Sequence, residues 1–209
     1  MNSPNLISET LRPTNFDELV LDDFIKTKLK KMYDSRNVMN MIFYGKPGSG
    51  KTSAAKIFAD SEEFDSLTIN GSLDTSIDIV RTKILNFSTS MSMYEQHKIC
   101  FIDEADYLSK SSQASLRGVI EDTSKICRYI FTANDISKMH PALCSRLMPI
   151  CFDMTPTQIA VELEKYKIRI ISLLKKQSPD TDEQRISRLI DMNYPDYRTI
   201  ANKIEFEML

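Results

Sequence analysis

Gly45-Lys46-Pro47-Gly48-Ser49-Gly50-Lys51-Thr52 carries three of the chain's five glycines within six residues and ends in Lys-Thr. It satisfies G-x-x-x-x-G-K-[ST] at every fixed position, the pattern of a phosphate-binding loop. The chemistry is anion capture. Glycines let the backbone turn tightly and approach a phosphate closely. Successive N–H groups leading into a helix N-terminus then face the anion. Lys51 is expected to reach the β- and γ-phosphates, Thr52 to ligate Mg²⁺ through its hydroxyl, and Ser53 to follow in the same helical turn.

A second group of chemical residues lies some fifty positions on. The apolar run Ile99-Cys100-Phe101-Ile102 ends in Asp103-Glu104-Ala105-Asp106. A strand that delivers acids at its C-terminal end suits a ligand bound at the strand ends of a parallel sheet. Asp103 is read as a Mg²⁺ ligand, direct or through water, and Glu104 as the base that polarises an attacking water. Alone, these acids would read equally well as a solvated turn; the upstream phosphate loop decides against that. Asn134 ends the next apolar run, where its amide can orient the water or touch the γ-phosphate. A lone Asn there would otherwise read as a turn former.

Alternating elements must position these groups. Met39–Tyr44 reads as a buried strand before the loop and Thr52–Ala59 as a helix after it. Further strands are predicted at 66–70, 98–102, 128–132 and 148–152, and helices at 76–87 and 111–121. That order predicts an α/β domain with a mainly parallel five-stranded sheet, residues 1–153. After Phe152 the pattern changes. Thr155-Pro156-Thr157 is a helix start. Three helices follow, at about 157–177, 182–192 and 196–207, and predict a small helical lid domain over 154–209. The segment 22–36 reads as an amphipathic helix with Phe24, Ile25, Leu29 and Met32 inward. Its lysines at 26, 28, 30 and 31 read as a solvated face.

With 209 residues, 42% hydrophobic and 27% charged, the chain has the composition of a soluble globular protein. No apolar run reaches the roughly 18 residues of a membrane helix. The N-terminus lacks the basic and apolar regions of a signal peptide. Four cysteines without C-x-x-C spacing and two histidines make zinc binding an unpromising class; reduced thiols and a cytoplasmic setting are expected. A net charge of −2 gives no global attraction to nucleic acid, so any such contact must be local.

In this order the pieces resemble the AAA+ ATPases, and more narrowly the replication factor C type ATPase subunits of sliding-clamp loaders. Leu11-Arg12-Pro13-Thr14-Asn15-Phe16-Asp17-Glu18 is similar to that family's R-P-x-x-F-D-E start, which lies near the adenine. Asn70-Gly71-Ser72 with Ile77-Asp78-Ile79-Val80-Arg81 resembles its second strand and following helix. Ile102–Asp106 resembles its Walker B, Gln113-Ala114-Ser115-Leu116-Arg117 its A-Q-x-A-L-R helix, and Thr132-Ala133-Asn134 its sensor 1. Pro141–Arg146 is similar to the segment ending in S-R-C, and Tyr194-Pro195-Asp196-Tyr197-Arg198 to sensor 2. The P-D-[FY]-R form is most like the T-even-type bacteriophage loaders.

The resemblance implies an ATP hydrolase with ATP and Mg²⁺ bound at subunit boundaries of a ring-like assembly. Arg12, Pro13 and the loop residues 45–53 would hold the nucleotide. Arg146 would enter the neighbouring subunit's site as an arginine finger, and Arg198 would touch the γ-phosphate from the lid. The implied partners are other loader subunits, a sliding clamp and primer-template DNA, the last through its backbone. Arg81 and Lys110 are the candidate DNA contacts. Gln113 is left open between relaying contact to the site and facing solvent. Another DNA-remodelling AAA+ machine, a helicase loader or branch-migration motor, is the alternative. The sequence departs from the family at Leu147, which replaces the cysteine of S-R-C, and at Thr75-Ser76. The helical collar usual in small loader subunits is expected from another chain or a longer form of this one.

Overall fold

The computed structural model describes residues 7–73, 77–90, 92 and 97–208. Thr75-Ser76 lies outside them. Strands β1 (Met41–Tyr44), β2 (Phe64–Asn70), β3 (His97–Asp103), β4 (Cys127–Ala133) and β5 (Met148–Cys151) form one sheet in the order β2-β3-β4-β1-β5. Every neighbouring pair is parallel, so the expected mainly parallel sheet is wholly so. Parallel neighbours need crossovers. Helices α1 (Ile7–Thr10) and α2 (Asp23–Asp34) precede β1, and the crossovers run through α3 (Lys51–Ala59), α4 (Ile77–Thr89), α5 (Lys110–Thr123) and α6 (Pro141–Cys144). Helices α7 (Pro156–Gln177), α8 (Glu183–Asn193) and α9 (Tyr197–Glu207) follow the sheet.

Both faces of the sheet are covered, which is why its central strands read as unbroken apolar runs. Alternate residues divide between two cores. Ile42, Cys100, Ile102, Tyr129 and Phe131 meet Val80 and Ile84 of α4 and Leu116, Val119 and Ile120 of α5. Met41, Phe43, Ile99, Phe101 and Ile130 meet Leu29 of α2 and Ala54, Ala55 and Phe58 of α3. Phe24 departs from the sequence expectation: it is 71% exposed, with the Lys28 ammonium over its ring. The inner stripe of α2 runs through Ile25, Leu29 and Met32, and position 24 is about 100° off it.

A third core holds α7, α8 and α9 together through Tyr166, Ile170, Leu174, Ile186, Ile190, Ile200 and Ile204. Leu11, from the N-terminal segment, is buried in it. Arg169 of α7 donates to the Leu11 carbonyl and pairs with Glu18. A capping box at Thr155 and Gln158 starts α7, with Pro156 in the first turn. These contacts set the C-terminal helices against the N-terminal segment, directly over the sheet's C-terminal edge.

Candidate active site

Parallel register brings the chemical residues to one edge. Tyr44 pairs with Ala133, Ile102 with Phe131 and Asn70 with Asp103. The glycine loop after β1, the acids ending β3 and Asn134 after β4 therefore emerge side by side.

Within the loop, Gly48 and Gly50 have φ of 78° and 92°, a region that costs a side chain. A Cβ on Gly48 would also collide with the Asp196 carboxylate. Gly50 is the N-cap of α3 and offers no side-chain cap, so the helix's first N–H groups stay available to an anion. Lys51 is buried, and its ammonium donates to the carbonyls of Gly45 and Lys46, both at 2.8 Å. Burial lowers its pKa; the carboxylates of Asp153, Asp106 and Asp103 oppose that, and Arg198 adds to it. The Lys46 N–H donates to Asp153 Oδ1 at 2.8 Å, pinning the start of the loop to a residue two positions past β5. No sequence motif marks Asp153.

Behind the loop, the Thr52 hydroxyl donates to Asp103 Oδ1 at 2.9 Å. The Thr132 hydroxyl donates to the same oxygen and accepts the Glu104 N–H at 2.9 Å. One hydroxyl thus fixes both acids. Glu104 has left-handed backbone, φ 53° and ψ 44°, and its side chain borders the cavity. Asp106 Oδ2 accepts the N–H of Asn134 at 3.2 Å and of Asp135 at 3.4 Å. Its other oxygen is buried without a partner among the described residues. Thr52 Oγ1 beside Asp103 is a hard-oxygen pair. It fits Mg²⁺, which is commonly held by one or two carboxylates and substrate phosphates rather than an all-protein cage.

A cavity of about 310 Å³ lies over this edge. Pro47, Gly48, Ser49, Gly50, Lys51, Thr52 and Ser53 form its floor, and Glu104 and Asn134 one wall. Arg12, Pro13, Leu19 and Val20 bound it from the N-terminal segment, and Tyr166, Tyr197 and Arg198 from the C-terminal helices. The Tyr197 N–H donates to the Gly48 carbonyl at 3.2 Å, so α9 starts on the loop itself. Cationic Lys51, Arg12 and Arg198 around a cradle of N–H groups suit a polyphosphate.

Not every expected residue joins this cavity. Gly45 and Lys46 precede its floor, and Asp103 lies behind Thr52. Arg146 is away from it: its guanidinium pairs with Glu121 of α5, with Nε 2.8 Å from Oε1, and holds Ser145 Oγ at 2.8 Å. Arg81 and Lys110 are exposed on α4 and α5, outside the cavity, with the Lys110 ammonium on the Lys138 carbonyl. Gln113 does not face solvent. It is fully buried; its amide donates to the Leu108 carbonyl at 2.9 Å, and its carbonyl accepts the His140 N–H at 2.6 Å. A polar residue in the first turn of α5 reads as surface in sequence, but here it closes the turns at 105–108 and 136–140. Sequence reading gave no site role to Asp153, Leu19, Val20 or Tyr166, and it quoted Thr132 and Tyr197 only within the sensor 1 and sensor 2 resemblances.

The model of the ATPase family associated with various cellular activities (AAA) matches residues 41–153, more than half of the chain. Probable replication factor C subunit 5 of Dictyostelium discoideum is 31% identical, over 94% of this chain and 57% of its own. The replication factor C small subunit of Archaeoglobus fulgidus is 30% identical, over 94% and 62%. The sliding-clamp-loader large subunit of Enterobacteria phage T4 is 30% identical, over 96% and 64%. The chain thus spans about three-fifths of the length of these relatives. The Thermotoga maritima RuvB Holliday junction branch migration motor has the same fold, with a TM-score of 0.71 over 92% of this chain and 63% of its own, at 21% identity. With its phosphate loop, acidic strand end and five-stranded parallel sheet, the chain belongs to the AAA family of ATPases and is related to replication factor C subunits and the phage clamp-loader subunit.

Proposed function

We propose that this chain is an ATP-hydrolysing subunit of a DNA sliding-clamp loader. In this reading ATP and Mg²⁺ occupy the cavity between the sheet edge and the C-terminal helices. Residues 1–153 act as the nucleotide-binding domain and 154–209 as a lid. Lys51 and the loop N–H groups hold the phosphates. Thr52 and Asp103 hold the magnesium ion, which neutralises charge on the β- and γ-phosphates when bound. Glu104 takes the proton of an attacking water, and Asn134 orients it. Arg198 follows the γ-phosphate from the lid. Arg146 acts in a neighbouring subunit, and Arg81 and Lys110 touch DNA phosphates without regard to sequence.

The observation that carries the nucleotide part is the convergence of Lys51, Thr52, Glu104 and Arg198 on one cavity. What supports the clamp-loader part is similarity over 94% of the chain to replication factor C subunits. The likeness to RuvB is one of fold and favours no second reading.

Co-purification tests the proposal. Tagged Glu104→Gln protein, held in Mg·ATP in its native host, is expected to retain a ring-shaped clamp and other loader subunits. Recovery of a helicase or another remodelling target instead would move the function to a different machine and leave the nucleotide site as read.

A further inference from the structure

Tyr197 touches three parts of the cavity wall. Its backbone N–H is on the Gly48 carbonyl at 3.2 Å. Its ring lies against Gly50, where a Cβ would meet Cδ2 and Cε2 at 3.8 Å. Its hydroxyl donates to the Val20 carbonyl at 3.3 Å. Gly48 and Gly50 belong to the phosphate loop, while Val20 borders the cavity from the N-terminal segment beside Arg12 and Pro13. One side chain therefore spans from the phosphate end to the far wall. Its ring is held in place by Tyr166, with centroids 5.1 Å apart, and by Tyr194, edge-on at 5.6 Å. Burial, reinforced by the neighbouring tyrosines, pushes the Tyr197 hydroxyl far above the ordinary tyrosine range, so it stays a donor.

The side chain of Val20 has no polar atom, so at this position only the peptide groups can hydrogen-bond a ligand. The Tyr197 hydroxyl fixes the direction of one of them. We propose that Tyr197 is a positioning residue for the nucleoside end of the bound nucleotide: its hydroxyl holds the Val20 peptide in the orientation that receives the base. This rests on the nucleotide-binding reading above. It also divides the site. The phosphates are held by Lys51, Thr52 and backbone N–H groups, none of which depends on the hydroxyl.

Calorimetric titration of the intact chain with ATP and with inorganic tripolyphosphate, both with Mg²⁺, separates the two ends. Tyr197→Phe is expected to weaken ATP about two- to tenfold, the effect of one net hydrogen bond. Tripolyphosphate affinity should stay within about twofold, because the phosphate contacts remain. Tyr194→Phe is the control: it removes the second acceptor of the Tyr197 hydroxyl, the Tyr194 oxygen at 3.4 Å, and leaves the bond to the Val20 carbonyl. It perturbs the same ring cluster and should leave ATP affinity nearly unchanged. Equal weakening of both ligands by Tyr197→Phe, or no weakening of ATP, overturns the positioning role while leaving the nucleotide site standing. Equal loss of ATP affinity in Tyr194→Phe overturns it too. A wild-type chain that binds neither ligand overturns the nucleotide reading itself.

Discussion

Glu104 is the one described non-glycine residue besides Arg36 with positive φ. Such a backbone costs of order 1–3 kcal/mol and persists only where its surroundings enforce it. Here they do: the Thr132 hydroxyl takes the Glu104 N–H and holds Asp103 on its other side. That hydroxyl aims both acids, one toward the metal position beside Thr52 and one toward the cavity. Thr132→Val keeps the shape and deletes both bonds. Removing such an outer support of a metal site typically costs about 10- to 100-fold in activity or metal affinity. We expect kcat for ATP to fall by that order in Thr132→Val, with a higher Mg²⁺ requirement, and to recover in Thr132→Ser. Turnover of the valine variant equal to wild type would remove Thr132 from the site. Glu104→Gln, by contrast, should bind ATP with near-normal affinity and fail to turn it over. Near-normal turnover in that variant would sink the base assignment.

At the scale of elements, the start of α9 decides where Arg198 points. Asp196 caps that helix, accepting the Thr199 N–H at 3.1 Å and its hydroxyl at 2.7 Å, and its carboxylate packs on Gly48. Burial pushes the Asp196 pKa up, but the Thr199 bonds, the Arg198 backbone and the Arg198 charge outweigh it, so the net shift is downward. A depressed carboxylate pKa stabilises the fold above the unfolded value of about 4 and loses that contribution as pH falls through the lower folded value. Asp196→Ala should therefore lower stability by about 0.5–2 kcal/mol at neutral pH, the usual cost of losing such a cap. The difference from wild type should begin to shrink below about pH 4, where the unfolded chain's carboxylate protonates, and go on shrinking as pH falls through the lower folded value. Urea unfolding at pH 7 and pH 3 checks this; an equal deficit at both would mean that the carboxylate's charge is not what caps α9. The strands and long helices were legible because buried runs and helical periodicity are local. The phosphate loop and the acids after β3 were legible because their residues are contiguous. Asp153 was not: it meets Lys46 across 107 residues of sequence, and nothing at either position announces the other. Thr132 reads as an ordinary strand former, and the inward turn of Gln113 depends on the 136–140 turn arriving over α5.

For the whole molecule, the proposed assembly assigns the arginines to different working sites. Arg12 and Arg198 border the chain's own cavity, but Arg146 does not; it is exposed and paired with Glu121 on α5. An exposed ion pair is weak and is screened by salt, so Arg146 can leave Glu121 for a phosphate group at little cost. Within the proposed assembly that phosphate belongs to a neighbouring subunit, where a guanidinium stabilises the charge of the transferring phosphoryl group. Such fingers contribute about 10³- to 10⁵-fold to turnover in P-loop enzymes. Two outcomes are expected together. Turnover per chain should rise with protein concentration or with added partner subunits. Arg146→Ala should suppress that rise while leaving the Kd for ATP nearly unchanged, since Arg146 touches nothing in its own cavity. Glu121→Gln separates the finger from a structural role of the ion pair. It breaks the charge pairing but frees Arg146, so turnover in the assembly should hold or increase, whereas a merely structural pair would make both variants fail alike. Turnover that is independent of concentration and indifferent to Arg146→Ala would confine the chemistry to a single chain.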